Sequence, residues 1–543
     1  MKKILAVILA VFMLIGVLAG CGSDNGSDPT DGPSATGGTS GGTSGGPGGS
    51  PGQGNTGGDP LKDTLIISQN EEPTSFISID SRFPASANKD HLLLHQLYDT
   101  LLFMRADGTI TPALAERWEV SEDGLEYTFY LRQDVIFHNG DKMTAEDVAF
   151  TYNTALNDYA SLAVTALTNM THAEVVDEYT VKLVLSAPFA VFYKNVTGRL
   201  GYIVNKRVYE EIGAEEYMNQ PIGTGPYMFE SKVAGDNITL VAHEQYWGGS
   251  PQIKKVIIRP MTNPSTQFLA LENGEIDVIV RADIASALQL NNPTLTWDFT
   301  HTSHRTILQI IAREPSPFAD VNLRRAVQYA INRDDIVLGA YEGYANPLYS
   351  DVIPGYTGAP DISDLLTFEY DPDQARAYVA ASSYSGEALQ LMCVAGGPEE
   401  RIAQIIQGQL GNVGINVEIM AVDASTRASL NRSGEGIDMH IDSSMSGTND
   451  VSSLATQYRT TDARTPQWSR ALCDAFDNFL WLADNEMDPE ARKGHIAGLL
   501  NLAAEEAVII PILQPVLVLA YNAALSNIEP HFGNLFFISE WTW

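Results

Sequence analysis

Residues 125–153 read LEYTFYLRQDVIFHNGDKMTAEDVAFTYN, and two periodicities meet inside them. Leu125, Tyr127, Phe129 and Leu131 fall at every second position, which puts them on one face of a strand. Asn139-Gly140 marks a turn, since both residues tolerate the backbone a tight reversal needs. Beyond it, Thr144 and Asp147 stand three apart like a capping box, opening the helix AEDVAFTYNTAL. Strand, turn and helix in so short a span point to a mixed α/β body.

The alternation continues outward. TVKLVLS (180–186) sets Val181, Leu183 and Leu185 on one strand face. LRRAVQYAI (323–331) carries Leu323, Ala326, Val327, Ala330 and Ile331 at helical spacing, with Asp320 as N-cap. Residues 389–419 read as a β-α-β unit: the strand LQLMCV, the helix PEERIAQIIQGQL closed by Gly411, and the strand INVEIM. No repeat is visible. The expected class is α/β with mixed sheets in more than one lobe.

The N-terminus reads differently. Lys2 and Lys3 precede an apolar run from Ile4 to Val17 and the small residues Leu18-Ala19-Gly20, the pattern of an export signal over residues 1–20. That run is short of the roughly 20 residues a membrane span needs. Leu18-Ala19-Gly20-Cys21 resembles the bacterial lipoprotein box, which implies that Cys21 is lipidated and becomes the first mature residue. Residues 22–60 hold 15 glycines, no Lys or Arg, and no aliphatic side chain larger than alanine. Such a segment cannot bury enough apolar surface to fold, so residues 21–60 are expected to be a disordered tether of about 35 Å.

The chain has 33 basic and 67 acidic residues, a net charge of −34. That balance argues against nucleic acid and against lying flat on anionic lipid. Cys393 and Cys473 have no metal-type spacing; outside the cell they could pair.

Catalytic patterns mostly fail. SANK (86–89) has Ser-x-x-Lys spacing but no Lys-Thr-Gly partner follows. IGTGPY (222–227) lacks the third glycine of a dinucleotide loop, and HEQYW (243–247) lacks the second histidine of a zinc protease. His91 and His95 are four apart on a helical segment without a carboxylate at matching spacing, so packing histidines fit better than a metal pair. In GIDMHID (436–442), Ile437, Met439 and Ile441 form one face; Asp438, His440 and Asp442 form another that is either solvated or, with the loop after it, touches a ligand.

Taken whole, residues 97–153 resemble extracytoplasmic solute-binding proteins of family 5, the peptide- and nickel-binding components of bacterial ABC importers. IGTGPYMF, YWGGSPQIKKVIIRPM, LENGEIDVI, FADVNLRRAVQYAINRDDIV, YDPDQARAYVAA and GQLGNVGINVEI continue the likeness in the family's order. The resemblance implies a two-lobed periplasmic-binding-protein type II clamp (a Venus flytrap) with mixed sheets and an extra subdomain in the first lobe. Lobe 1 would span residues 61–305, with the inserted subdomain at about 92–220; lobe 2 would span 306–510, and 511–543 would return to complete lobe 1. It further implies a monomer that is not an enzyme and needs no cofactor. Such a protein closes over a solute, most readily a peptide, and hands it to ABC permease and ATPase subunits. It would sit outside the cell, held to the outer face of the membrane by its lipid alone. A non-peptide cargo (a nickel chelate, a sugar or an opine-like compound) or a ligand-sensing partner of a membrane receptor is the alternative.

The resemblance also nominates contacts. NEEPTSF (70–76) matches the relatives' first cleft segment, nominating Glu71, Glu72 and Thr74. NPLYSDVIPG (346–355) matches a second-lobe segment, nominating Tyr349 and Ser350. The loop that usually carries a tryptophan and an ammonium-binding aspartate corresponds to SSMSGTNDVSS (443–453). Here Met445 stands at the tryptophan position and Thr448 at the aspartate position, followed by Asn449 and Asp450.

Overall fold

The computed structural model describes residues 62–77, 79, 89–105, 109–158, 167, 169–189, 192, 196–198, 201–353, 355–445, 450–451, 456–458, 467–528 and 536–543, with only the backbone described at 424, 428, 432, 444 and 445. The expected signal, Cys21, the tether, Thr448 and Asn449 lie outside the described residues.

Two large sheets organise the chain. One has seven strands in the order Leu295–His301, Val516–Asn522, Val278–Val280, Thr64–Gln69, Lys255–Pro260, Asn237–Ala242 and Tyr227–Val233. The other has six, in the order Asn346–Pro347, Ile509–Gln514, His304–Ile310, Met439–Met445, Leu389–Val394 and Val417–Val422. Both are mixed: Thr64–Gln69 runs parallel to Lys255–Pro260 and to Val278–Val280, and Leu389–Val394 runs parallel to its two neighbours. A separate four-stranded antiparallel sheet is built from Ala115–Val120, Glu126–Leu131, Thr180–Leu185 and Met170–Asp177. Its buried face shares one apolar core with the seven-stranded sheet.

The chain passes between the two large sheets twice, at residues 302–303 and at Pro515. The passages lie side by side. The Thr302 amide donates to the Pro515 carbonyl at 3.0 Å, and the Gln514 side chain donates to the Thr302 carbonyl at 2.8 Å.

Local structure follows the apolar spacing. Tyr127, Phe129 and Leu131 are buried while their neighbours on that strand are half-exposed, as a period of two requires of a sheet with one covered face. His304–Ile310 is buried at every position because it runs through the middle of a sheet covered on both faces. The Thr144 amide donates to the Asp147 carboxylate at 2.9 Å, closing the start of the helix Ala145–Asp158. Asp320 accepts from the Asn322 amide at 2.9 Å and caps Val321–Ala330.

Two local expectations are corrected. The helix in the β-α-β unit runs Pro398–Asn412, through Gly411. Gly414, at φ +90°, supplies the left-handed residue beyond its end, where a side chain would be strained. The solvated face expected for 436–442 does not hold: His440 and Asp442 are buried, and Ser443 directly after them lines the chamber described below. Asp442 accepts from Gln457 at 3.1 Å and meets Arg427 at 3.4 Å.

The glycines of IGTGPY serve packing. A Cβ at Gly223 would lie 1.9 Å from the Leu97 carbonyl oxygen, so only glycine lets the two backbones approach. Cys393 and Cys473 are both free and buried. His95 bonds the Tyr202 hydroxyl at 2.6 Å and stacks edge-on with His91, and no group of three or more metal-ligating side chains converges among the described residues.

Candidate functional site

A chamber of about 400 Å³ is lined by residues from both large sheets. Gln69, Asn70 and Glu71 follow one parallel strand of the seven-stranded sheet, and Arg281, Ala282 and Asp283 follow another. On the opposite side, Gly396, Gly397 and Pro398 lead from Leu389–Val394 into the helix Pro398–Asn412. Thr302, His304 and Pro515, at or next to the two chain passages, form its base. Open α/β sheets collect ligands at the carboxyl ends of their parallel strands, because loops of free sequence converge there.

The lining mixes polar and apolar side chains and carries both signs of charge. Gln267 donates to Ser68 and Asn70 at 3.0 and 3.1 Å, fixing the end of the first strand. Asp283 accepts from the Ser286 amide at 2.9 Å, capping the short helix after the second. On the other side, Arg427 lies 3.4 Å from both Glu399 and Asp442. Burial raises the Glu399 titration, with the Arg427 charge opposing it. Glu399 also accepts from the Val394 amide at 3.0 Å, which locks the turn into the helix. Burial, helped by the Arg281 charge, pulls the His304 imidazole down to about 3, so it is neutral near pH 7.

Arg281 is distinct. Its backbone sits at φ 63°, a left-handed conformation uncommon outside glycine, and its guanidinium lines the chamber. Burial pulls its titration down to about 10, with the Glu71 carboxylate pulling the other way.

Of the nominated contacts, Glu71 lines the chamber. Glu72 points elsewhere, pairing with Lys232 at 3.1 Å and accepting from the Gly235 amide at 3.1 Å. Thr74 is held by its amide to Asp90 at 2.7 Å. Tyr349 lies under the Arg333 guanidinium at 4.9 Å, and Ser350 beside it is buried. Neither lines the chamber. Met445 is described by its backbone alone, paired with His304 across the sheet. Asp450 is fully buried in an ion pair with Arg492, with oxygens 2.5 and 3.2 Å from the guanidinium. The chain reading did not single out Arg281, His304, Glu399 or Arg427. The one sequence signal for Arg281 is a charge set directly after the apolar strand VIV in VIVRADI.

Residues 109–465 match the family model described as bacterial extracellular solute-binding proteins, family 5 middle. Over 373 residues the chain is 28% identical to di/tripeptide-binding protein 2 of Pseudomonas aeruginosa, covering 63% of this chain and 69% of that one. Among solved structures it resembles the periplasmic binding protein DppA of Helicobacter pylori in complex with the peptide STSA, with TM-score 0.77 and 22% identity over 89% of this chain and 98% of that one. It also resembles NikA of Brucella suis in complex with Fe(III)-EDTA, with TM-score 0.79 and 21% identity over 89% and 100%. The likeness extends across both large sheets, so the fold is the two-lobed mixed α/β clamp of periplasmic binding proteins. This chain belongs to the bacterial extracellular solute-binding proteins of family 5.

Proposed function

We propose that this protein is the solute receptor of an ABC importer, that its cargo is a peptide, and that it captures this cargo by closing two lobes. One observation carries the reading: a chamber lined from both sheets, joined by two adjacent chain passages. Such a joint bends at few dihedral angles, and the shut form is favoured only by a guest that touches both sides at once. The passages support a division near residues 302–303 and 515, a few positions from the 305 and 510 read from the chain, with the four-stranded sheet as the extra subdomain of the first lobe. The di/tripeptide-binding relative and the STSA-bound neighbour support the peptide. No bond is made or broken in this scheme; a membrane permease reads the closed shape and its ATPase subunits supply the work. The protein acts as a monomer outside the cell, held to the membrane through Cys21 and the tether.

Titration calorimetry with di- to pentapeptides, followed by mass spectrometry of the recovered peptide, tests the reading. One-to-one binding with the peptide returned intact is expected. Cleaved peptide, or no binding across the set, would overturn it. The neighbour that holds Fe(III)-EDTA favours a second reading, a chelate or other compact polar solute in the same chamber.

A further inference from the structure

Among the described residues, one cation of the chamber has no hydrogen-bonded or ion-paired side chain against it. Arg427 and Arg492 each meet a carboxylate, and Arg401 donates to the Ala340 carbonyl at 3.1 Å. The Arg281 guanidinium makes no hydrogen bond or ion pair with any described residue, although it is half-buried in the chamber wall. Glu71 is near enough to favour its charge but is not within ion-pair distance. A half-buried guanidinium without an ion-pair partner has given up part of its hydration and stands ready to take an anion. The backbone at φ 63° adds a further cost, and strain at a ligand-facing position belongs with function. The neutral His304 ring lines the same chamber, near enough to feel the Arg281 charge. A planar guanidinium offers paired donors that match the two oxygens of a carboxylate.

We propose that Arg281 is the anion-binding residue of this chamber and that the cargo presents a carboxylate to it from the seven-stranded side. This rests on the reading of the chamber as the cargo site, and it adds an orientation: the acidic end of the solute faces the ends of Thr64–Gln69 and Val278–Val280, and its remainder faces Gly396 to Arg401.

The test compares Ala-Ala-Ala with its C-terminal amide by calorimetry, on the unaltered protein, Arg281→Asn and Arg281→Lys. Asparagine accepts the left-handed backbone, so Arg281→Asn removes the charge without adding strain. A lost charge-assisted hydrogen bond corresponds to a 10- to 100-fold weakening, and that loss is expected for the free acid. The amide should bind the unaltered protein more weakly and be indifferent to the substitution. Arg281→Lys should keep part of the preference for acid over amide. The ligand-free melting temperature of Arg281→Asn should equal or exceed that of the unaltered protein, because the lost group had no partner. Unchanged affinity for the acid would overturn the proposal, and so would equal losses for acid and amide with a lowered melting temperature.

If neither tripeptide binds the unaltered protein, the peptide cargo is wrong and the Arg281 assignment is judged on the solute that copurifies. Native mass spectrometry should then show an acid-bearing solute on the unaltered protein that is absent from Arg281→Asn. Any other pattern overturns the assignment.

Discussion

Asp450 shows how one residue's meaning depends on what it faces. In the chain it stands two positions past the place where the family resemblance would set an aspartate; in the folded protein its carboxylate meets Arg492, and both are buried. Removing one member of a buried pair strands the other, at a cost of about 3–5 kcal/mol. Asp450→Ala should therefore lower the urea midpoint strongly, and Asp450→Ala with Arg492→Met should recover much of the loss. His138 makes a different point. Its Nδ1 accepts from the Gly223 amide at 3.2 Å and its Nε2 donates to the Gly225 carbonyl at 3.1 Å, an arrangement available only to the neutral ring. Burial, with His243 adding to it, holds the ring down to about 3. The unfolded chain takes up this proton first, so stability present above pH 6.5 is lost as pH falls from 6.5 toward 3, on the order of 2 kcal/mol by pH 5. Asp99, pushed up to about 6 by burial, works in the opposite direction between pH 4 and 6. The check is thus a difference: His138→Gln, which keeps one donor and one acceptor, should flatten the fall in stability between pH 7 and 5 measured by urea unfolding.

At the scale of elements, apolar spacing carried most of the information. Tyr127, Phe129 and Leu131 lie inward as their period demands, and Leu389–Val394 pairs in parallel with Val417–Val422 as the crossover requires. The helix between them buries Ile402, Ala403, Ile406 and Leu410 against the six-stranded sheet. Ile406→Ala should cost about 2–5 kcal/mol, read as a lower denaturant midpoint with unchanged slope. What misled was the end of that helix and the polar face of 436–442. Gly411 resembled a stop, yet glycine inside a helix costs only about 1 kcal/mol, which packing outweighs. Alternating polar residues resembled a wet face, yet Arg427 and Gln457 reach Asp442 from segments before and after that strand.

For the whole molecule, the two passages at 302–303 and 515 matter most. The chamber gathers residues 69–71, 281–284, 302, 304, 306, 396–399, 401, 427 and 515–518, among others, which no local pattern connects. Glu71 was legible because it lies in a segment that resembles the relatives' cleft, whereas Arg281 was not, because a single charge after a strand looks like any exposed loop residue. The proposed tether and its lipid anchor belong to this scale too. Replacing Cys21 by serine should move the protein from the membrane pellet to the soluble fraction on cell fractionation, and a variant that stayed in the pellet would remove the lipid anchor from the account.

From the chain alone came the mixed α/β class, strands such as Glu126–Leu131 and Thr180–Leu185, helices such as Ala145–Asp158 and Val321–Ala330, the crossover at 389–419 and the likeness to solute-binding clamps. These follow from short-range regularities: a period of two, a period near 3.6, caps and turns. The chamber and its charges were decided only by tertiary structure. Whether a carboxylate such as Asp450 is spent on a buried partner, or a guanidinium such as Arg281 is left facing a cavity, depends on groups far away in sequence. Electrostatic pairing acts through space, and only the folded chain determines which charges come within reach of one another.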